Sequence, residues 1–341
     1  MGIAALASIN RNSGTFLPKE VLIQSAALII GLALALVILV TGYRYFLRLD
    51  RFIYPLAIAM LLSVYIPGLG TSFYGSRSWL DLGFVTFQPS EIVKILFVIL
   101  MASCLSTLNN HPSSAGAILK AALYALPFIL IVAKEDFGTG CVFCAIWIFM
   151  VFCSSLDMKI IGRVALALAM LLPVFYFFLA SYQKERIEAF LNPGDLELAS
   201  NYQVWNSKVA IGSGGLLGKG YMHGTQACLG FLPVPESDFI FAAIVEETGF
   251  PGGMVIILLF CLLLFHTLKT AKYSSHLQGT LISVGLAGMF FFQALENIAM
   301  CMGLMPVTGI TLPFVSYGGS SMISSMMGTG LILSVSRSLK I

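Results

Sequence analysis

The sequence predicts an all-α, polytopic transmembrane protein, and two observations support this. Of the 341 residues, 58% are hydrophobic and only 10% are charged, with a mean hydropathy of +0.92, whereas soluble domains carry about 25% charged residues. Uncharged runs at 21–43, 52–76 and 297–336 reach or exceed the ~20 residues that a membrane-spanning helix needs. Transmembrane barrels are excluded, because their strands alternate apolar and polar residues. The net charge of +3 is too small and too dispersed to indicate a nucleic-acid partner.

The apolar runs predict nine membrane spans. They are placed at residues 22–42, 52–68, 89–107, 118–134, 139–155, 162–181, 239–268, 279–302 and 320–336. Residues 1–13 lack an apolar stretch long enough for a cleavable signal peptide, so the first span is expected to target the chain to the membrane. We expect residues 1–341 to form a single membrane domain, with a long outer loop at 182–238 between spans six and seven.

Lysine and arginine predict the orientation of the spans. They follow spans one, five, seven and nine, at Arg44, Arg48, Arg51, Lys159, Arg163, Lys269, Lys272, Arg337 and Lys340. By the positive-inside rule these loops face the cytoplasm. Among the acidic residues only Asp50 and Asp157 fall on that side, and the others lie on or near the outer face. This asymmetry predicts an outward-facing site that is rich in carboxylates.

The entry to span three carries a pair of opposite charges. Glu91 and Lys94 are three residues apart and share a helix face, so they can neutralise each other near the membrane boundary. Such a pair is either also in contact with a substrate or part of a helix start, with Ser90 as the cap and Glu91 near the helix dipole. In the preceding loop, Arg77 beside Trp79 is either a lipid-headgroup anchor or a phosphate ligand.

Two further stretches have both a structural and a functional interpretation. Residues 134–136 are three consecutive charged residues between spans four and five, which indicates either a site or pore that supplies partners and water, or a solvated tight turn. The glycine-rich stretch 210–220 resembles a phosphate-binding loop but fails that pattern at Ser213 and Gly220. It remains a candidate for a flexible turn whose backbone approaches a headgroup closely.

The end of the outer loop carries the strongest chemical candidate. Asp238 lies where an outward, water-filled cleft meets lipid, and a partly desolvated carboxylate there suits a general base; alternatively, Ser237 or Asp238 caps the next helix. Glu246 is expected below Asp238 in the same cavity, and Glu247 is expected to pair with a buried base. The uncharged final loop, 303–321, is rich in Pro and Gly and is a candidate lid or wall.

Several stretches in chain order resemble motifs of the SEDS family (shape, elongation, division and sporulation). They are residues 88–91, 136–139, 210–220, 238–242 and 306–321. Residues 218–220 together with 223–226 are more similar to the RodA branch than to the FtsW branch. The resemblance departs from the family at Glu135, where proline is usual, and at 234–237, which read Val-Pro-Glu-Ser rather than Glu-x-His-Thr. Family members usually have ten spans, and residues 1–8 resemble the end of a first one.

The resemblance implies a peptidoglycan glycosyltransferase of the bacterial cytoplasmic membrane. Such an enzyme polymerises lipid II at the outer face and works with a class B penicillin-binding protein, a transpeptidase. Asp238 matches the aspartate considered essential in the family, and it would act as the catalytic base. The residues expected to bind substrate are Arg77, Trp79, Gln88, Glu91, Lys94, Asp136, Gln203, Lys208, Lys219, Gln226, Glu246, Ser316, Tyr317 and Ser320. Arg77, Lys94, Lys208 and Lys219 are the candidates to stabilise the departing pyrophosphate.

Cofactors and alternative functions stay open at this point. The sequence identifies no definite cofactor, and a divalent cation, Mg²⁺ or Mn²⁺, held by carboxylates such as Glu91 or Asp136 is a further option. A RodA-like role in elongation and cell shape is favoured over a division or sporulation paralogue with the same chemistry. A lipid II flippase or other transporter would need a charged path to the cytoplasmic side, for which Glu246, Glu247 and Glu296 are the deepest candidates. A non-catalytic scaffold would have no use for the outer carboxylates.

Overall fold

The computed structural model describes residues 1–11, 18–73, 76–81, 83, 85–108, 115–154, 162 and 181–338, and most of them are helical. The helices in this part of the chain are α1 (Gly2–Ile9), α2 (Lys19–Thr41), α3 (Tyr43–Leu47), α4 (Asp50–Leu62), α5 (Pro89–Leu108), α6 (Ala115–Glu135), α7 (Phe137–Phe152), α8 (Ser181–Leu191), α9 (Ala199–Gly214), α10 (Ile240–Tyr273), α11 (Leu277–Cys301) and α12 (Gly319–Arg337). A short 3₁₀ helix, Ser63–Tyr65, follows α4.

The helical, membrane-spanning fold class is confirmed. Among the described residues, α2, α5, α6, α10 and α11 are long and apolar enough to cross a membrane. The shorter helices α4 and α7 and the less apolar α12 occupy three more of the predicted spans. The predicted span 162–181 lies outside the described residues, apart from its two end residues. The long segment 182–238 contains two helices, α8 and α9, which the sequence patterns did not predict.

Helix α10 is broken at one glycine. Gly249 has φ 68° and ψ −165°, values that a helix does not accommodate, and Pro251 follows it. Residues 250–273 are about 36 Å long at 1.5 Å per residue, which is enough to cross the membrane without the preceding segment. Residues 240–246, by contrast, are buried within the protein. The predicted span 239–268 therefore combines a short buried helix with a complete membrane-spanning one.

A small antiparallel sheet is the main departure from an all-helical chain. Its strands are β1 (Gly70–Phe73), β2 (Ser76–Asp81) and β3 (Thr86–Phe87), in the order β1-β2-β3, with a bulge between Thr71 and Phe73. Gly70 is required where β1 begins, because a Cβ atom there would lie 1.7 Å from the carbonyl oxygen of Val64. The sequence predicted no strand here, since the segments are too short to show a clear alternation of apolar and polar residues.

The chain divides into two compact units. Unit 1 comprises residues 1–30, 181–264 and 290–325, and unit 2 comprises residues 31–180, 265–289 and 326–341. In unit 1 the buried first segment of α10 is at the centre of an apolar core, in which Ile240 and Ala242 pack with Leu6 of α1 and Leu312, all four fully buried. This core includes Phe239 and so holds Asp238, two residues before α10, in place. The expectation of one membrane domain stays a prediction.

Candidate active site

Asp238 is held at the start of α10 by a polar framework within unit 1. Its side chain is half-buried, and Oδ1 accepts a 2.8 Å hydrogen bond from the Ser237 hydroxyl. Its main-chain oxygen accepts a 2.9 Å hydrogen bond from Nδ2 of Asn297. The same Asn297 amide donates to the carbonyl oxygen of Ile310 at 2.8 Å. The two bonds join Asp238 to the final loop through one fully buried amide.

The final loop, 302–318, forms a wall beside Asp238. The buried Ser316 hydroxyl donates to the carbonyl oxygen of Ser237 at 2.6 Å, and the Tyr317 amide donates to the carbonyl oxygen of Glu236 at 2.8 Å. At Gly309, where φ is +78°, a Cβ atom would stand 3.4 Å from Oδ2 of Asp238. The final loop was predicted to be a lid or a wall. These bonds attach it to the turn that carries Asp238, so it forms a wall.

Two predicted substrate residues belong to this wall. Ser316 uses its hydroxyl for the internal contact with the Ser237 carbonyl and is 3% exposed, so its contribution is to position the loop. Tyr317 is half-buried, and burial, with the nearby charges of Glu20 and Glu236, raises the pKa of its phenol. The hydroxyl therefore stays protonated and available as a donor. Ser320 follows, buried in the first turn of α12.

Asn297 is a site residue that the sequence analysis missed. It lies within α11, an apolar helix, directly after Glu296. Adjacent polar side chains inside a membrane span are energetically unfavourable unless they have partners. Their presence in the sequence could therefore have indicated that Asn297 is hydrogen-bonded. The pattern did not reveal the partners, because they are main-chain oxygens at positions 238 and 310, distant in sequence.

Glu246, Lys219 and Gln226 come together in a second cluster of unit 1. Oε1 of Glu246 accepts hydrogen bonds from Nζ of Lys219 at 2.6 Å, from the Thr225 amide at 2.8 Å and from the Gln226 amide at 3.0 Å. The Glu246 side chain is completely buried. The expectation that Glu246 faces a cavity with Asp238 is therefore wrong. Its carboxylate instead fixes the loop at 215–231 to α10.

Glu247 has a different partner from the one expected. Its carboxylate accepts a hydrogen bond from the hydroxyl of Ser8 in α1 and others from the main-chain amides of Met222 and Gly224. Within the described residues Glu247 has these donors and no basic side chain in an ion pair, which contradicts the prediction of a buried basic partner. A carboxylate that accepts several hydrogen bonds can be buried without an ion pair, because the donors replace its water.

The glycine-rich stretch 210–220 packs closely against the main chain of α10. Helix α9 ends at Gly214, and Gly215 and Gly218 have φ values of 55° and 76°. The Lys219 amide then donates to the carbonyl oxygen of Glu246 at 3.0 Å. A Cβ atom at Gly218 would lie 2.2 Å from the carbonyl oxygen of Glu247. The glycine-rich stretch was expected to bring its backbone close to a headgroup. In the structure, these glycines instead let the loop pack against α10.

This packing predicts different effects for two alanine substitutions. Gly218→Ala should lower the free energy of unfolding by about 2–3 kcal/mol, because alanine has to adopt a positive φ and would also contact main-chain atoms. Gly212→Ala is the matched control: its Cβ meets nothing within 4 Å, and alanine favours the helix. Thermal unfolding in detergent and limited proteolysis of the loop at 215–231 measure the difference. Equal stability of the two variants would contradict the packing described.

Gln203 and Lys208 lie on α9, outside both clusters. Gln203 is half-buried and Lys208 is exposed. Lys208 lines a cavity of about 330 Å³ between α8, α9 and residues 303–307 of the final loop. Lys208 was predicted as a cation for the pyrophosphate, and in the structure Arg186 of α8 is a second cation in the same lining.

In unit 2, Glu91 and Lys94 form the predicted ion pair. Nζ of Lys94 lies 2.8 Å from Oε1 of Glu91, and the side chains are 1% and 6% exposed for the lysine and the glutamate. The other glutamate oxygen and the Ser90 hydroxyl have no hydrogen-bond partner among the described residues. The alternative in which Ser90 caps the helix is therefore wrong, because Ser90 lies within α5 and its hydroxyl makes no capping bond.

The charged turn 134–136 is satisfied by neighbours within unit 2. Asp136 caps α7: Oδ1 accepts from the Thr139 amide at 3.0 Å and Oδ2 from the Thr139 hydroxyl at 2.7 Å. The buried Gln88 also donates to Oδ2 of Asp136 at 3.3 Å. Glu135 accepts from the Tyr65 hydroxyl at 2.8 Å and from the Arg77 amide at 3.2 Å. The turn therefore has a structural role.

Arg77 and Trp79 are placed by the sheet. Both lie on β2 and are half-buried, and Trp79 is paired in register with Thr71 of β1. Arg77 lines a cavity of only about 20 Å³, together with Glu135 and Asp136. A space of this size holds about one water molecule.

Comparison with known proteins assigns the chain to a family. The sequence profile of FtsW, RodA and SpoVE, described as "cell cycle protein", matches residues 5–341. The chain belongs to the FtsW/RodA/SpoVE family. The resemblance to SEDS proteins that the motifs indicated is thereby confirmed.

Two curated members of the FtsW/RodA/SpoVE family show how far the similarity extends. The peptidoglycan glycosyltransferase MrdB of Escherichia coli (strain K12) is 38% identical over 283 residues, which cover 83% of this chain and 76% of MrdB. The stage V sporulation protein E of Bacillus subtilis (strain 168) is 39% identical over 281 residues, which cover 82% of this chain and 76% of that protein. Two differently named members are thus equally similar.

A solved structure supports the same fold. It describes the structural coordination of polymerization and crosslinking by a peptidoglycan synthase complex. One of its chains aligns with 99% of this chain and 95% of its own length, with a TM-score of 0.80 and 30% identity. This member of the FtsW/RodA/SpoVE family is therefore a membrane protein whose structural relative belongs to a peptidoglycan synthase complex.

The carboxylates that were candidates for a divalent cation already have partners within the protein. Oε1 of Glu91 is paired with the ammonium of Lys94, and both oxygens of Asp136 cap α7. No group of three or more His, Cys, Asp or Glu side chains with metal-site geometry occurs within the described residues. The divalent cation stays a prediction.

Proposed function

We propose that this protein is a peptidoglycan glycosyltransferase that polymerises lipid II at the outer face of the bacterial cytoplasmic membrane. The single observation that carries the proposal is Asp238, a half-buried carboxylate supported by Ser237 and, through its main chain, by the buried Asn297. The similarity to MrdB, named a peptidoglycan glycosyltransferase, supports the reaction class. Residues 1–341 would act as one membrane domain, with the loop at 182–238 carrying part of the site.

In the proposed reaction Asp238 is the general base. Its carboxylate accepts the proton of the 4-hydroxyl group of the acceptor sugar as that oxygen attacks the anomeric carbon of the donor. The new glycosidic C–O bond forms while the bond from the anomeric carbon to the pyrophosphate oxygen breaks, with inversion. The electron pair leaves with undecaprenyl pyrophosphate. Because pyrophosphate is a good leaving group, one carboxylate suffices, whereas glycosidases use a pair.

The surroundings of Asp238 suit this role. The Ser237 hydroxyl donates to one carboxylate oxygen, Oδ1, and so orients the carboxylate. Gly309 leaves room beside the other oxygen, where a larger residue would crowd the acceptor. The remaining predicted substrate contacts, Gln203, Lys208 and Tyr317 in unit 1 and Arg77 and Trp79 in unit 2, are proposed on the family resemblance.

The proposed partner is a class B penicillin-binding protein that crosslinks the strands. The structural relative in a complex that coordinates polymerization and crosslinking supports this pairing. We further propose the RodA-like role in elongation and cell shape on the motif at 218–226. The near-equal identities to MrdB and to stage V sporulation protein E do not separate the branches.

The deep carboxylates do not favour the transporter alternative. Glu246 accepts hydrogen bonds from Lys219 and its loop, and Glu247 accepts one from Ser8. Glu296 accepts one from the Thr308 hydroxyl. Because each carboxylate holds a segment of unit 1 in place, the contacts support a structural role for the three rather than a charged path across the membrane.

The proposed function is tested with purified protein in liposomes that contain lipid II. Gel analysis of the glycan strands, with and without the candidate class B partner, should show polymer made by the wild-type protein. Translocation of labelled lipid II across the bilayer, without any polymer under either condition, would contradict the glycosyltransferase and support a flippase.

A further inference from the structure

Of the four cations predicted to stabilise the pyrophosphate, two are held in ion pairs and a third lines only a small cavity. Lys94 is buried in its ion pair with Glu91, and Lys219 is paired with Glu246 at 2.6 Å. Arg77 lines a cavity of about 20 Å³, which is too small for a diphosphate. Lys208 differs from these three, because it lies outside the ion pairs found among the described residues and lines a larger cavity.

Lys208 faces a cavity with the properties of a ligand site. Its volume of about 330 Å³ lies within the range of small-molecule sites. Arg186 lines it as a second cation, and none of its described lining residues is acidic. The aromatic side chains of Phe190 and Trp205 also line it and are 43% and 54% exposed. Two cations beside aromatic rings provide a surface for an anionic, sugar-bearing headgroup.

The wall opposite Lys208 is kept open by a glycine. Gly303 has φ +71°, and a Cβ atom there would lie 2.3 Å from Cε and 2.5 Å from Nζ of Lys208. The ammonium therefore occupies the space that any side chain at position 303 would need. This arrangement keeps the charged end of Lys208 at the lining of the cavity.

The cavity is connected to Asp238 through one short loop. Residues 303–307 line the cavity, and Gly309, two residues further, faces Oδ2 of Asp238. Between them, the carbonyl oxygen of Thr308 accepts a 2.9 Å hydrogen bond from Nη1 of Arg186. Arg186 thus contacts the same wall that borders the base, which places the cations and the base along one loop.

We propose that Arg186 and Lys208 form the subsite that binds the diphosphate group of the lipid-linked substrate. The assignment rests on the proposed glycosyltransferase function, because that reaction supplies the diphosphate. The Arg186 guanidinium supplies a planar set of N–H donors and Lys208 a compact point charge, a combination suited to adjacent phosphates. The same pair would stabilise the negative charge that develops on the leaving diphosphate.

The test is a binding measurement that does not require turnover. Inorganic pyrophosphate and undecaprenyl pyrophosphate are titrated against the purified full-length protein in detergent, with phosphatidylglycerol vesicles as a third probe. Arg186→Gln and Lys208→Met should each weaken binding of both diphosphates by about tenfold to a hundredfold. Lys184→Met, on the same helix as Arg186 but outside the cavity lining, removes the same charge and should leave the affinity within about twofold.

The outcomes separate this proposal from the proposed function. An equal loss of diphosphate affinity in Lys184→Met and Lys208→Met would show that only net charge matters and would overturn the subsite. Binding to phosphatidylglycerol vesicles but to neither diphosphate would also overturn it. Asp238→Asn should bind diphosphate like the wild type, since Asp238 does not line the cavity. A protein that binds diphosphate at Arg186 and Lys208 but makes no polymer would refute the function while supporting the subsite. Circular dichroism checks that each variant is folded.

Discussion

Replacing Asp238 with asparagine is expected to lower the rate of lipid II polymerisation by about 10²–10⁴-fold, the usual contribution of a general base. Asparagine keeps the size of the side chain and still accepts the 2.8 Å hydrogen bond from Ser237. Its amide cannot take the proton of the acceptor hydroxyl. The loss should therefore appear in kcat with the fold intact, and single-turnover assays in liposomes measure it.

Glu236→Gln is the matched control for that substitution. Glu236 lies on the same turn and is half-buried like Asp238, and its structural contact is made by the main-chain oxygen that binds the Tyr317 amide. This variant removes one negative charge from the same region and should keep most of the activity. If Asp238→Asn polymerises as fast as Glu236→Gln, then Asp238 is not the base.

Removing one partner of the buried ion pair in α5 should have the largest effect on stability. In Lys94→Met the Glu91 carboxylate loses the ion-pair partner that it has among the described residues, at a position where the glutamate side chain is 6% exposed. An uncompensated buried charge costs about 3–5 kcal/mol. We expect a correspondingly lower unfolding temperature in detergent, which differential scanning fluorimetry measures.

The double variant Glu91→Met/Lys94→Met distinguishes a structural pair from a functional one. Replacing both members by apolar residues removes the unpaired charge, so most of the stability should return. Under the alternative from the sequence, in which the pair also contacts substrate, polymerisation would stay low in this stable double variant. Full recovery of activity together with stability would show that the pair acts only in the fold.

Local sequence patterns were sufficient for the membrane helices and for several local contacts. An apolar run of about 20 residues without charge has few stable options in a bilayer, because its backbone must form its own hydrogen bonds. The ion pair between Glu91 and Lys94 also follows from spacing, since residues three apart share a helix face. The motifs that led to the family lie in continuous stretches for the same reason.

Contacts between segments that are distant in the chain could not be predicted from the sequence. The partners of Glu246 and Glu247 lie in a loop that precedes α10 and in α1, and helix periodicity alone does not identify them. The small sheet was missed because its strands are two to six residues long. Such short segments form where the surrounding structure supports them, so their own pattern is weak.

By itself, the sequence determined the class of protein, the positions of the apolar helices, the family and the identity of the candidate base, all of which depend on neighbours along the chain. Only the tertiary structure decided which charged side chains are paired within the protein and which line a cavity. It paired Lys219 with Glu246, left Lys208 facing a cavity with Arg186, and attached Asp238 to the final loop through Asn297. The physical reason is that a buried charge or amide is satisfied by whichever group the fold brings within hydrogen-bonding distance.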